Sequence, residues 1–132
     1  MDQIQEALEG ALEARRHAYV PYSNFPVGAA AKVAGKAEIV YGCNVENASF
    51  GATVCAERNA IFTAVAKYGR VAFDFLMVLT EANPPAVPCA LCLQVMAEFC
   101  DPKMPIHLAT PEGVQRTLLL EELLPEPFTA FG

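Results

Sequence analysis

Three cysteines constrain the fold of this chain more than any other feature. Cys55 opens a helical pattern that runs to Tyr68, and Cys89 and Cys92 open a second one that runs to Cys100. Residues three apart share one helix face, so Cys89 and Cys92 can bind one ion together. If the two helix starts converge, Cys55 completes a set of three thiolates. Soft thiolate ligands in a tetrahedral arrangement favour zinc, Zn²⁺.

The position of these cysteines at helix starts favours metal binding and catalysis. Helix N-termini expose unpaired N–H groups and the positive end of the dipole, and both favour the thiolate. Three protein ligands leave a fourth position open for water, which then needs a general base. Glu57 is the candidate. Residues i and i+2 do not share a helix face, so the pairing requires Cys55 at or just before the first helical position.

The cysteine pair alone also allows other chemistry. A Cys-x-x-Cys sequence is compatible with a redox dithiol or with a closed structural zinc site. A closed site needs a fourth ligand, for which Cys43, Cys100 and His107 are candidates without tight ligand spacing. The carboxylate of Glu57 argues for catalysis, because a structural or redox site has no use for it.

The rest of the chain alternates between helix and strand patterns. The predicted elements are, in order, a helix over 3–18 capped by Asp2, strands over Val27–Val33 and Ala37–Cys43, a loop over Asn44–Thr53, a helix over Cys55–Tyr68 ended by Gly69, a strand over Ala72–Thr80, a helix over Cys89–Cys100, a strand over Pro105–Ala109, a turn over 111–113, and a short helix over Leu118–Leu124 capped by Thr117. Such alternation predicts a layered α/β domain whose helices cover a mixed sheet. With 132 residues, we expect one domain, 1–132.

Charge and hydropathy limit the classes of partner that the chain can bind. Nine Lys and Arg against fifteen Asp and Glu give a net charge of −6, which disfavours nucleic acid. No apolar run approaches the ~20 residues that span a bilayer, so no membrane partner is expected. The acidic, polar N-terminus is unlike a signal peptide, which predicts a cytoplasmic protein with reduced cysteines. A hydrophobic content of 54% with 18% charged residues is high for a small monomer and indicates subunit contacts.

Two motifs together resemble a known family. The run Asn44-Val-Glu-Asn-Ala-Ser-Phe-Gly-Ala-Thr-Val-Cys-Ala-Glu-Arg58, with Pro88-Cys-Ala-Leu-Cys-Leu-Gln-Val95, is similar to the small zinc-dependent cytidine deaminases. The segment Tyr22–Ala30 resembles the part before that family's first strand, and Leu123–Phe128 resembles its C-terminal end. The resemblance implies a three-layer α/β/α sandwich with a mixed five-stranded sheet, one strand more than the patterns supply.

The resemblance also implies catalytic roles. Cys55, Cys89 and Cys92 would hold zinc, and Glu57 would act as the proton shuttle. Three thiolates exceed the charge of zinc by one, and Arg58, which follows Glu57, would hydrogen-bond the sulfurs and offset that charge.

Further residues are implied to bind the substrate. Phe25 would stack on the pyrimidine, and Ala56 would offer a backbone group to the base. Asn44 and Glu46 would hydrogen-bond the sugar hydroxyls. Ala48 and Phe50 would reach a neighbouring subunit's site, where Phe128 or Phe131 would supply an aromatic ring. The implied assembly is a homotetramer with shared active sites. Taken alone, Asn44 and Glu46 are also compatible with turn residues, and Phe25 with a residue that fills the core.

The implied function is hydrolytic deamination of cytidine, and of deoxycytidine, to uridine or deoxyuridine and ammonia, in pyrimidine salvage. The substrate would be a small nucleoside. Two alternatives are a deaminase of another aminopyrimidine nucleoside, such as a blasticidin-like antibiotic, and a non-catalytic zinc or thiol protein. One position departs from the family: Leu93 stands where Arg is common. If the surrounding pocket is ordinary, we expect Leu93→Arg to be tolerated.

Overall fold

A mixed five-stranded sheet organises the chain in the computed structural model, which describes residues 2–130. The elements are α1 (Gln3–Arg15), β1 (Gly28–Val33), β2 (Ile39–Cys43), a 3-10 turn (Phe50–Ala52), α2 (Ala56–Tyr68), β3 (Phe73–Leu79), α3 (Ala90–Phe99), β4 (Pro105–Thr110), β5 (Gly113–Leu119) and α4 (Leu120–Leu123). The strand order is β2-β1-β3-β4-β5. Strands β3 and β4 are parallel, and the other neighbours are antiparallel.

Helices cover both faces of this sheet, and β1 shows why. All six of its residues are buried, and its small alanines let helices approach from both sides. Ala30 joins a cluster with Ala7 and Leu8 of α1. Ala29 and Ala31 join a larger cluster with residues of α2 and α3 on the opposite face. The three-layer α/β/α sandwich with a mixed five-stranded sheet is therefore confirmed.

Two of the predicted helix-end residues, Asp2 and Gly69, agree with the structure. The Asp2 carboxylate accepts a hydrogen bond from the Gln5 backbone N–H at 2.9 Å and starts α1. Gly69 ends α2 with a φ of +77°, a conformation that favours glycine. Helix α1 ends at Arg15, earlier than predicted, because the N–H groups of residues 16–18 donate to carbonyls three residues back instead of four, and the Tyr19 N–H donates to the Asn44 carbonyl at 3.0 Å. Within residues 2–130, no helix combines the length and the apolar character needed to cross a bilayer.

The segment after β4 differs from the prediction. Thr117 does not cap a helix over Leu118–Leu124; it lies in β5, opposite His107 of β4. Strand β5 is an edge strand whose four central residues are all exposed, so it lacks the apolar alternation by which a half-buried strand is identified. It supplies the fifth strand that the residue patterns missed. The helix that follows is short and contains only Leu120–Leu123.

The antiparallel pairing of β1 gathers three chain segments at one end of the sheet. Gly28, its first residue, pairs with Cys43 at the end of β2 and with Leu79 at the end of β3. The loops that adjoin these three residues therefore meet at this end. Helix α2 begins there too, against Gly42 of β2. A Cβ at Gly42 would lie 2.5 Å from the Ala56 carbonyl oxygen, so only glycine permits this approach.

Candidate active site

The sulfur atoms of the three cysteines form one cluster. Cys55 and Cys89 are the N-caps of α2 and α3, and Cys92 lies in the first turn of α3. The three Sγ atoms lie within 4.8 Å of one another, and those of Cys55 and Cys89 are 3.7 Å apart. Tetrahedral zinc with Zn–S distances of ~2.3 Å places its sulfur ligands about 3.8 Å apart. The cluster therefore fits zinc as the sequence predicts.

The cluster leaves one coordination position open. In the described part of the chain it is the one group of metal-ligating side chains this close together. It has three members, and none of the candidates for a fourth ligand, Cys43, Cys100 and His107, is among them. A structural zinc site normally has four protein ligands, whereas a catalytic site has three and keeps a place for water. The ligand count favours catalysis.

Arg58 brings a positive charge to the sulfur cluster. Its Nη2 atom donates to the Cys55 sulfur at 3.5 Å and to the Thr53 carbonyl at 3.4 Å. Hydrogen bonds from the Cys92 thiol and from Arg58 lower the pKa of Cys55 to about 5. The pKa of Cys92 is raised, because its thiol donates to that sulfur and is buried. The site therefore favours the thiolate form of Cys55, the form that binds metal, and Arg58 offsets part of its charge.

Glu57 is buried beside these sulfurs. Cys55 precedes the first helical residue and has an extended backbone, with φ −72° and ψ 158°. Cys55 thus lies just before the first helical position, which is the condition under which Cys55 and Glu57 can share one site. Glu57 is only 4% exposed and lines the same cavity as Cys55 and Cys89. Burial, with a contribution from the Cys55 charge, raises the pKa of Glu57 to about 7. A carboxyl group with this pKa can both accept and return a proton at neutral pH.

A cavity of about 290 Å³ opens in front of this cluster. It is lined by Ser23, Phe25, Val27, Asn44, Glu46, Thr53, Cys55, Ala56, Glu57, Val78, Thr80, Ala86, Val87 and Cys89. The structure thus brings most of the predicted substrate-binding residues into one pocket with the sulfurs. Ala48 and Phe50 do not line it. Phe50 instead borders an adjacent cavity of about 290 Å³, where its ring meets the Tyr22 ring edge-on at 5.7 Å, and Ala48 is exposed in the loop.

Asn44 and Glu46 both hold the loop that carries Phe25. The Asn44 side chain accepts from the Val27 N–H and donates to the Phe25 carbonyl, both at 2.9 Å. The Glu46 carboxylate accepts from the Ser23 hydroxyl and from two backbone N–H groups at 3.0 and 3.1 Å. These hydrogen bonds, led by that of the Ser23 hydroxyl, lower the pKa of Glu46, which keeps it ionised. The two side chains therefore stabilise the pocket wall while they face the cavity.

The C-terminal segment is held against α3. The Gln94 side chain donates to the Phe128 carbonyl at 2.6 Å and accepts from the Phe128 N–H at 3.3 Å. Phe128 is thereby fixed on the helix that carries Cys89 and Cys92. Phe131, the other C-terminal aromatic residue named from the sequence, lies outside the described residues.

Sequence reasoning missed some residues of the pocket. Ser23 and Thr80 line the cavity, but neither was singled out. Ser23 stands two residues before Phe25, a spacing at which a hydroxyl can accept from a backbone N–H, so the sequence does contain a signal for it. Thr80 ends an apolar strand and gives no such signal. Leu93, the departure from the family pattern, is 7% exposed and packs in the larger hydrophobic cluster.

Comparisons with known proteins agree with this site. Residues 1–108 match the family model for the cytidine and deoxycytidylate deaminase zinc-binding region. A cytidine deaminase from Sporosarcina psychrophila is 41% identical over 126 residues, which cover 96% of this chain and 91% of that protein. The crystal structure of a cytidine deaminase from Burkholderia pseudomallei is 41% identical, with a TM-score of 0.88, and the match covers 97% of this chain and all of that one. The cytidine deaminase structure from Mycobacterium tuberculosis is 34% identical, with a TM-score of 0.82 and coverage of 98% and 100%.

Proposed function

This chain belongs to the zinc-dependent cytidine deaminase family, and from that premise we propose how its residues convert cytidine to uridine and ammonia. One observation carries the proposal: three cysteine sulfurs are spaced for zinc, and two of these cysteines line one cavity together with a buried carboxyl group whose pKa is about 7. A deaminase needs an activated water and a group that moves protons, and this cavity has residues for both.

In the proposed mechanism, Cys55, Cys89 and Cys92 hold the metal and Glu57 moves the protons. Zinc, when bound, lowers the pKa of water towards 7 and so makes a nucleophile available at neutral pH. Glu57 accepts the proton of the water that adds to C4 of the cytosine ring. Glu57 returns this proton to N3. It then carries the proton of the new C4 hydroxyl to the exocyclic amine, the C4–N bond breaks, ammonia leaves, and the C4 oxygen becomes the carbonyl of uridine. Arg58 offsets the excess negative charge of the three thiolates.

The walls of the cavity support the assigned substrate contacts. We assign base stacking to Phe25, a backbone hydrogen bond to Ala56, and sugar recognition to Asn44 and Glu46, because all four line the cavity. Deoxycytidine is proposed as a second substrate. The Glu46 carboxylate would accept a hydrogen bond from the 3′-hydroxyl, which is present in both ribose and deoxyribose.

The charges of the cavity favour nucleosides over nucleotides. Its lining contains Glu46 and Glu57 but no Lys or Arg in the described chain. A phosphate at the sugar's 5′ position would therefore meet negative charge without a basic partner. The same argument disfavours single-stranded DNA and RNA, which need a basic groove.

We also propose a homotetramer with shared active sites. Phe50 is 74% exposed and its ring meets that of Tyr22, which is 51% exposed, so two adjoining aromatic rings form an apolar surface that a neighbouring subunit would cover. Ala48 and Phe50 lie outside the cavity of their own chain, which suits residues that complete a neighbour's. Gln94 holds Phe128, so we assign the C-terminal aromatic role to Phe128. A monomer mass in light scattering at working concentration would exclude the shared-site arrangement.

The cytoplasm is the proposed compartment. All five cysteines are free, and three of them have to stay reduced to bind zinc.

The central test compares Glu57→Gln with the parent protein. We expect zinc content and melting temperature to be preserved, while kcat for cytidine falls about 10³-fold because the proton carrier is lost. Ammonia release and uridine formation should agree in the parent. Glu98→Gln, which changes an exposed glutamate on α3, is the matched control.

The alternatives give different results in the same assay. A Glu57→Gln variant as active as the parent would exclude the proton-carrier role. No ammonia from cytidine with folded, zinc-loaded protein would favour another aminopyrimidine nucleoside as substrate. Parallel assays with deoxycytidine, single-stranded DNA and single-stranded RNA complete the comparison.

A further inference from the structure

The hydroxyl group of Ser23 connects two residues to which the proposed function gives separate tasks. It donates to the Glu46 carboxylate, the proposed sugar ligand. It also accepts from the backbone N–H of Phe25, the proposed stacking residue, at 3.0 Å. Asn24, between Ser23 and Phe25, has a φ of +56°, so the chain reverses there and brings the Phe25 N–H back to the hydroxyl.

The carboxylate end of this connection is well anchored. Oxygen Oε1 of Glu46 accepts from the N–H groups of Tyr22 and Ser23 at 3.0 and 3.1 Å, and Oε2 accepts from the Ser23 hydroxyl. The Glu46 backbone N–H donates to the Tyr19 carbonyl at 2.9 Å. Glu46 is therefore a fixed point, and the position of Ser23 follows from it.

The Phe25 end depends more strongly on Ser23. Phe25 is 41% exposed, so core packing does not determine where its ring lies. Its carbonyl is held by the Asn44 side chain, and its N–H is held by the Ser23 hydroxyl. Loss of the Ser23 hydroxyl removes the hydrogen bond to the Phe25 N–H. The peptide group before Phe25 can then rotate, while the Asn44 side chain still holds the peptide group after it.

We propose that Ser23 is a positioning residue that fixes the Phe25 ring relative to the Glu46 carboxylate. It thereby sets the distance between the base-stacking surface and the sugar-binding carboxylate, and so contributes to the choice of a nucleoside as substrate. This inference rests on the proposed roles of Phe25 and Glu46. Ser23 lies at the exposed rim of the cavity and contacts neither Glu57 nor the cysteines through any hydrogen bond found in residues 2–130.

The test is a double-mutant cycle in the full-length, zinc-loaded protein with cytidine as substrate. Its variants are Ser23→Ala, Phe25→Ala, the double variant, and Ser23→Thr, which keeps the hydroxyl. Ser49→Ala is the matched control, because it removes an exposed serine hydroxyl that makes no capping hydrogen bond. KM, kcat, zinc content and melting temperature are measured for each.

We expect Ser23→Ala to raise KM about tenfold, the equivalent of about 1.4 kcal/mol for hydrogen bonds to a charged partner. The value of kcat should stay within about threefold of the parent, since the metal ligands and Glu57 are untouched. Ser23→Thr should keep the parent KM. In the Phe25→Ala background, Ser23→Ala should have no further effect on KM, because the ring that it positions is gone.

Several results would overturn the inference. A parental KM in Ser23→Ala, or an equal rise in KM with and without the Phe25 ring, would show that Ser23 does not act through Phe25. A fall in kcat, zinc content and melting temperature together would show a general structural role. If Phe25→Ala itself leaves KM unchanged, the stacking role fails and this inference fails with it, while ammonia release from cytidine would still test the deaminase function separately.

Discussion

A methyl group added at Gly42 tests whether the contact between β2 and α2 sets the geometry of the metal site. The Cβ of an alanine there would lie 2.5 Å from the Ala56 carbonyl oxygen and 2.6 Å from the Ala60 nitrogen. Both are backbone atoms of α2, so no flexible side chain can move aside. Ordinary contact begins at 3.4 Å, so the start of α2 has to recede from β2 by about 0.9 Å.

This displacement is large for a zinc site. Ala56 and Glu57 lie in the first turn of α2, and Cys55 caps it, so they move with the helix. Cys89 caps α3 and Cys92 lies in its first turn, and the three atoms nearest to the added Cβ all belong to α2. Zinc–ligand distances tolerate deviations of only about 0.2 Å, and a misplacement near 1 Å can cost about 100-fold in rate. We expect kcat/KM for cytidine to fall about 100-fold and overpacking to cost about 1–3 kcal/mol of stability.

The assay compares Gly42→Ala with Gly51→Ala by kcat/KM, bound zinc and thermal unfolding. A Cβ at Gly51 meets nothing within 4 Å, so this control makes the same chemical change without a clash. Equal kcat/KM and equal zinc content in the two variants would refute the argument that β2 fixes the start of α2.

Two further predictions concern stability. In zinc-free protein, burial raises the pKa of Glu57 from 4.5 to about 7, so the folded chain binds this proton more tightly than the unfolded chain. Its contribution to the free energy of unfolding is complete below pH 4.5 and is lost as pH rises through 7. The parent protein should lose about 3 kcal/mol of stability over this range, and Glu57→Gln should not. Equal dependence of the two unfolding free energies on pH, measured in urea from about pH 4.5 to 8.5, would contradict this prediction. Leu93→Arg should lower the unfolding free energy by about 2–4 kcal/mol, because it places a charge in the larger hydrophobic cluster, whereas Leu93→Met should cost less than about 1.5 kcal/mol. A melting temperature of Leu93→Arg equal to that of Leu93→Met would restore the expectation of tolerance.

Periodicity predicted most elements, because the segments that pack in the core carry the strongest patterns. The predicted helix over Cys55–Tyr68 matches α2 to within one residue at its start, and Gly69 ends it as predicted. Strand β5 was missed, because an edge strand with exposed central residues has no apolar alternation to detect. The prediction that Thr117 caps a helix is wrong for the same reason: its hydroxyl oxygen lies 2.8 Å from Nδ1 of His107 across the sheet.

The sequence by itself determined the chemistry of the site. Residue type and local spacing predict that Cys55, Cys89 and Cys92 are soft ligands at two helix starts, and the family resemblance adds Glu57 as the proton shuttle. These properties belong to short segments and do not depend on the rest of the chain.

Only the tertiary structure decided how these groups act together. The sulfur of Cys55 meets that of Cys89 at 3.7 Å because two helix starts converge across 34 residues of chain, a distance that no local pattern encodes. The raised pKa of Glu57 requires its burial, and the link from Glu46 through Ser23 to Phe25 requires the segment before β1 to lie against the loop after β2. Local sequence selects the reactive groups, whereas distance, burial and long-range hydrogen bonds arise only once the layers pack.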